Sequence, residues 1–170
     1  MRKAILFMFV LAVSGLAAHA AESIPSRLDK MKAGEWILMQ DVSGESGERT
    51  KITVLSVTPE AFTLRREHMD PDGTVTETKE HEIPMDKARE RHADLEGKAK
   101  EVTKEFVIVK DKEIPVTAVF WESDKAQDGK PREFKIWLSD ELPVTGLAKF
   151  WSSSSTFPNA EIIDYGFAGN

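Results

Sequence analysis

The chain has no cysteine and a single tyrosine. Beyond its first twenty residues it also has no apolar run long enough to cross a bilayer. Without cysteine there can be no disulfide, thiolate metal site, cysteine nucleophile or lipid-bearing anchor cysteine. Stability must therefore come from an apolar core. Positive charge is also short, with 23 Lys and Arg against 29 Asp and Glu and a formal net charge of −6. Such an excess repels polyanions, so nucleic acid is not an expected partner, and neither is an anionic membrane surface. No G-x-S-x-G elbow, H-E-x-x-H, G-x-G-x-x-G or phosphate loop occurs. No catalytic residue, metal ligand set or cofactor is therefore expected.

At the start, Arg2 and Lys3 precede an apolar run from Ala4 to Leu16, which ends in Ala18-His19-Ala20. A basic head, a short apolar stretch and a small-x-small site form the plan of a secretory signal cut after Ala20. The expected organisation is a signal at 1–20 and one domain at 21–170, exported to the periplasm or secreted. The signal holds two of the 23 basic residues and none of the 29 acidic ones, so the remainder carries 21 − 29 = −8.

Residues 23–34 (SIPSRLDKMKAG) carry helix start and stop signals, a serine cap, an early proline and a closing glycine, and predict a short helix. Strand-like runs follow at 35–41, 50–57 and 61–67, then a hairpin whose turn is Pro71-Asp72-Gly73. In 84–102, Met85, Ala88, His92, Leu95, Ala99 and Val102 recur every three or four residues, which predicts one amphipathic helix. Strands resume at 104–110, 114–122, 132–138, 144–151 and 160–167. Nine strands on short turns, with too few helices for parallel crossovers, predict an antiparallel meander.

These strands do not alternate cleanly. Val116, Ala118 and Phe120 share one face, while Val119 and Trp121 share the other. Phe134, Ile136 and Leu138 likewise oppose Trp137. Both faces need cover, which a curved sheet wrapped round a core or a sandwich of two sheets would provide. The expected fold is mainly β, a strongly curved antiparallel meander or unclosed β-barrel with the 84–102 helix laid on it.

Three features invite a chemical reading. Asp140 and Glu141 are adjacent in WLSDELPVTGLAKF, and neighbours on an extended chain point apart, so this acidic break reads as a strand corner and not as a paired-carboxylate site. Gly146 in the same stretch marks a bend. HMDPDGTVTETK follows a calcium-loop template in part, but Lys79 stands where a closing carboxylate belongs, so the hairpin reading is preferred. His68 and His81 flank the hairpin and would come together only if the pairing made them partners. His92 reads as a boundary histidine on the helix.

The W-x-S-D-x-x-P…G-x-x-K pattern at 137–149, the Gly34-Glu35-Trp36 start and the helix-interrupted meander resemble exported bacterial proteins of unassigned function. The architecture is similar to the LolA/LolB-like periplasmic carriers. That resemblance implies an unclosed barrel with a helical lid that shelters acyl chains. It transfers no functional residue. The expected function is non-catalytic binding of a lipid or other apolar ligand, with Trp36, Phe120, Trp121, Phe134, Trp137, Phe150 and Trp151 as candidate lining residues. The alternatives are an envelope interaction module with a filled core and a protein partner, and a hydrolase with dispersed acidic residues.

Overall fold

The computed structural model describes residues 23–43, 47–127, 130–153 and 159–169, so the signal expected at 1–20 lies outside the described residues. The chain forms β1 (Trp36–Asp41), β2 (Arg49–Val57), β3 (Ala61–Met69), β4 (Val75–Pro84), α1 (Met85–Lys98), β5 (Glu101–Val109), β6 (Lys112–Gln127), β7 (Lys130–Leu138), β8 (Leu147–Ser152) and β9 (Ala160–Gly166). All nine strands join one antiparallel sheet in the order β4-β3-β2-β1-β9-β8-β7-β6-β5. Two meanders are thus sewn together by the β1–β9 ladder. Their outer strands, β4 and β5, do not pair, and the sheet stays unclosed.

Two distances show how strongly the sheet bends. Laid flat, eight inter-strand spacings would separate β4 from β5 by about 38 Å. The 14-residue α1 that links their ends is only about 21 Å long. Within the second meander, Lys110 Nζ, at the β5–β6 turn, lies 2.6 Å from the Asp164 carboxylate on β9, although three strands separate β5 from β9 in the sheet. The sheet has to curl for either link to be made.

Curling covers both faces, which accounts for the mixed patterning. Ile114 and Val116 of β6 join the large buried cluster with Ile37, Met39, Val54 and Phe62. Val119, on the other face of the same strand, packs with Leu138 and Ile24 beneath Leu95 and Ala99. Each fully buried Ile or Val contributes about 1.5–3 kcal/mol. Along α1 the apolar stripe divides: Met85 and Ala88 reach the first cluster, and Leu95 and Ala99 the second.

One expected element is corrected. Residues 23–34 are turns and extended chain, with no helix. Their apolar spacing suits a helix, but the side chains are drawn to different places. Ile24 enters the second cluster, and Leu28 and Met31 reach the first. Between them Arg27 turns inward to pair with Glu35 at 2.9 Å. A helix would present these groups along a single stripe. The hairpin turn is as expected: Gly73 takes φ 86°, and its N–H donates to the Asp70 carbonyl at 3.0 Å. β8 starts at Leu147, three residues later than the pattern suggests, because Val144 (φ 58°) and Gly146 (φ 76°) break the extended chain.

Candidate functional site: a trough along one sheet face

Cross-strand register assigns the faces. Met39, Ile52, Leu64, Ile136 and Phe150 lie on one face, which α1 overhangs at one end. Three open cavities run along it. The largest, about 540 Å³, has Met39, Ile52, Leu147, Phe150 and Ala160 in its wall. A second of about 350 Å³ shares Ile52 and Arg66 with it. A third, about 270 Å³, lies under α1 and shares Leu64, Ile83 and Arg91 with the second. Shared walls make them one trough.

Local pairing explains where the trough opens. Among the described residues β8 and β9 are held by two residue pairs, Lys149↔Glu161 and Phe150↔Ala160. That short seam borders the largest cavity. At the α1 end, His92 meets the Ile24 carbonyl at 3.2 Å through Nε2 and stands 3.6 Å from the Glu96 carboxylate, so it is a boundary residue.

Of the seven aromatic candidates, Phe150 stands in the wall of the largest cavity. Trp121 and Phe134 share its face and extend from it, Trp121 stacked on Phe134 with centroids 5.2 Å apart and Phe134 tilted against Phe150 at 6.3 Å. The other four, Trp36, Phe120, Trp137 and Trp151, are on the opposite face by register. There the Trp36 ring packs against Gly166 and under the Lys51 ammonium at 4.9 Å. Trp137 sits between the ammonium groups of Lys135 (4.8 Å) and Lys149 (5.4 Å). Its indole N–H donates to Glu105 Oε2 at 2.7 Å.

Glu105 has a displaced proton affinity. Partial burial pushes its carboxyl up, but hydrogen bonds from Lys135, Trp137 and Thr103 outweigh this and hold it below the usual carboxylate range. A carboxyl whose folded value is depressed contributes stability above its unfolded value, and loses it as pH falls through the folded one. Glu105→Gln should therefore destabilise the protein at pH 7 and cost progressively less below about pH 4.5. Urea unfolding of both proteins from pH 7 to pH 3 checks this. The Trp137 indole N–H resonance should shift over the same acid window.

The acidic break is a buried latch and not a reactive pair. Asp140 and Glu141 point to solvent, toward Lys30 (3.4 Å) and Lys112 (3.7 Å). What organises the corner lies beneath them. Glu35 accepts from the Arg27 guanidinium through Oε1 and from the Val144 N–H through Oε2, both at 2.9 Å. Arg27 also donates to the Asp140 carbonyl at 3.1 Å.

His68 and His81 share a face but are not partners, since His68 pairs with Glu77 and His81 with Leu64. Four residues of strand, about 13 Å, separate them. Among the described residues no cluster of three or more His, Asp or Glu is arranged to hold a metal. No helix among them is long and apolar enough to cross a membrane.

Sequence reasoning missed the first meander's share of the wall. In β3 the face bearing Phe62 and Leu64 continues through Arg66 and His68, a visible change from apolar to cationic along one side of a strand. The chain matches no family model, no curated protein and no solved structure.

Proposed function

We propose that this is an exported, non-catalytic binding protein that carries an apolar or amphipathic ligand in the concave trough, in the manner of the LolA/LolB-like carriers it resembles. The observation that carries this reading is a run of three cavities with shared wall residues. The wall is mostly apolar under α1, and in the largest cavity, of about 540 Å³, Met39, Ile52, Leu147 and Phe150 mix with charged side chains. Ligand pockets commonly enclose about 300–1,000 Å³ and are walled mostly by apolar groups with a few placed polar ones. The short β8–β9 seam and the overhanging helix offer the entrance and the cover that such a role needs.

The neutral fluorophore N-phenyl-1-naphthylamine tests the reading. It should bind with saturable enhancement. Ile52→Trp, which would fill the passage shared by the two larger cavities, should weaken it at least fivefold. Trp137→Ala, on the opposite face, should leave it unchanged. Absence of saturable binding, or equal effects of the two substitutions, would defeat the proposal.

A second reading, an envelope interaction module, draws on the β5 edge. Phe106 and Ile108 are 65% and 76% exposed on this edge strand, which has β6 on its inner side. The other edge, β4, is instead studded with charge (TETKEHE), the usual protection against strand addition.

A further inference from the structure

Arginine is unevenly used in this acidic chain. Arg27 is paired with Glu35 and Arg65 with Glu80. Along the trough the pattern changes. Arg66, on the trough face of β3, stands in the wall shared by the two larger cavities. Arg91 of α1 is in the wall shared by the middle cavity and the one under the helix. Neither guanidinium makes a hydrogen bond or ion pair with a described residue. At the open end Arg49 lines the largest cavity, and its buried Nε has no hydrogen-bond partner among the described residues.

The carboxylates nearby make no hydrogen bond or ion pair with Arg66 or Arg91. At the mouth, Asp41 accepts from the Ser43 N–H, Asp70 from the Thr74 N–H, and Glu77 is paired with Lys79. Glu82 lines the middle cavity without bonding to either arginine. Guanidinium groups left unpaired beside an apolar wall are suited to a carboxylate, which their planar fork can grip with two parallel hydrogen bonds.

From this we infer that the trough selects anionic single-chain amphiphiles of the fatty-acid type, with the carboxylate held by Arg66 and Arg91 and the alkyl chain on Ile52, Leu64 and their apolar neighbours. The inference rests on the carrier reading above and adds a head-group chemistry to it. It does not conflict with the overall charge. An excess of −8 beyond the signal resists docking on an anionic membrane, while a single monoanion needs only the local field of the arginines. The device would take one molecule and leave the bilayer alone.

Titration calorimetry with dodecanoate, dodecanol and dodecyltrimethylammonium, each below its aggregation threshold, tests it. Dodecanoate should bind at least tenfold more tightly than dodecanol, and the cation most weakly. Arg66→Gln with Arg91→Gln should bring dodecanoate to within about twofold of dodecanol while leaving N-phenyl-1-naphthylamine binding in place. Lys79→Gln, which removes a charge already paired with Glu77, should leave the preference intact. Equal binding of acid and alcohol, a preference that survives the double arginine change, or loss of preference in Lys79→Gln would overturn the head-group assignment and leave the carrier reading standing. If none of the three compounds nor the fluorophore binds, both fall. Because Arg66 and Arg91 are exposed and bonded to no described residue, the substitutions should not disturb folding.

Discussion

Glu35→Ala should cost about 3–5 kcal/mol of folding stability, the loss expected when one member of a buried ion pair is removed. Glu35 is 2% exposed and Arg27 8% exposed, so deleting the carboxylate strands a guanidinium in the interior. The damage does not stop at the pair. The Glu35 Oε2 atom also holds the Val144 N–H, and Val144 takes φ 58°, an unusual conformation for a β-branched residue. Val144 and Leu142 are both buried in the large cluster, so releasing this N–H loosens the corner as well. Glu35→Gln should cost less, because the amide oxygen can still accept from one donor. Replacing both partners, Arg27→Met with Glu35→Leu, should cost less than Glu35→Ala alone, since no charge is then left without a partner. Urea denaturation midpoints at unchanged m value provide the measurement. If Glu35→Ala unfolded within about 1 kcal/mol of the wild type, the corner would owe its shape to packing alone.

How legible the fold was follows from where local signals and tertiary demands agree. The strands of the second meander carried apolar residues on both faces, which called for cover on each, by a curled sheet or by a second sheet. The helix announced itself by period, and the Pro71-Asp72-Gly73 turn by its residue types. The stripe read over 84–102 runs past the helix end at Lys98, however, and Val102 belongs to β5. Residues 23–34 read as a helix because a serine cap, an early proline and a closing glycine bound them. Nothing local indicates that Ile24 and Met31 go to different clusters, or that Arg27 must reach a carboxylate eight residues on.

The site was legible to a lesser degree, for a related reason. Aromatic residues stand out in a sequence, so attention falls on tryptophan. Yet Trp137 is engaged by Glu105 on the far face, and Trp36 covers Gly166. Which face of a strand becomes concave depends on register across the whole sheet. The wall residues Met39, Ile52 and Arg66 acquire meaning only once β1, β2 and β3 are paired.

Two glycine substitutions should move stability in opposite directions, and the contrast isolates backbone from composition. Gly146 has φ 76°, and a Cβ added there would collide with the Ser139 carbonyl oxygen and sit 3.1 Å from Arg27 Cγ. A carbonyl held in a hydrogen-bonded corner cannot give way as a flexible side chain could. Gly146 also accepts from the Ser139 N–H at 2.8 Å and donates to the Pro143 carbonyl at 3.0 Å, so any relief of the clash breaks the bonds that close the turn. The left-handed conformation alone costs a non-glycine residue about 1–2 kcal/mol. Adding the clash, Gly146→Ala should lose at least about 3 kcal/mol, in the range where marginal domains unfold. Gly97 is in α1, where an added Cβ would meet nothing within 4 Å, and helical backbone favours alanine. Gly97→Ala should therefore gain about 0.5–1 kcal/mol. Thermal unfolding of both variants beside the wild type reads both signs in one experiment. A Gly146→Ala protein as stable as the parent would mean that the corner has another conformation open to it. Glu35 would then be gripping a loop that needs no latch, and the large loss expected of Glu35→Ala should shrink with it.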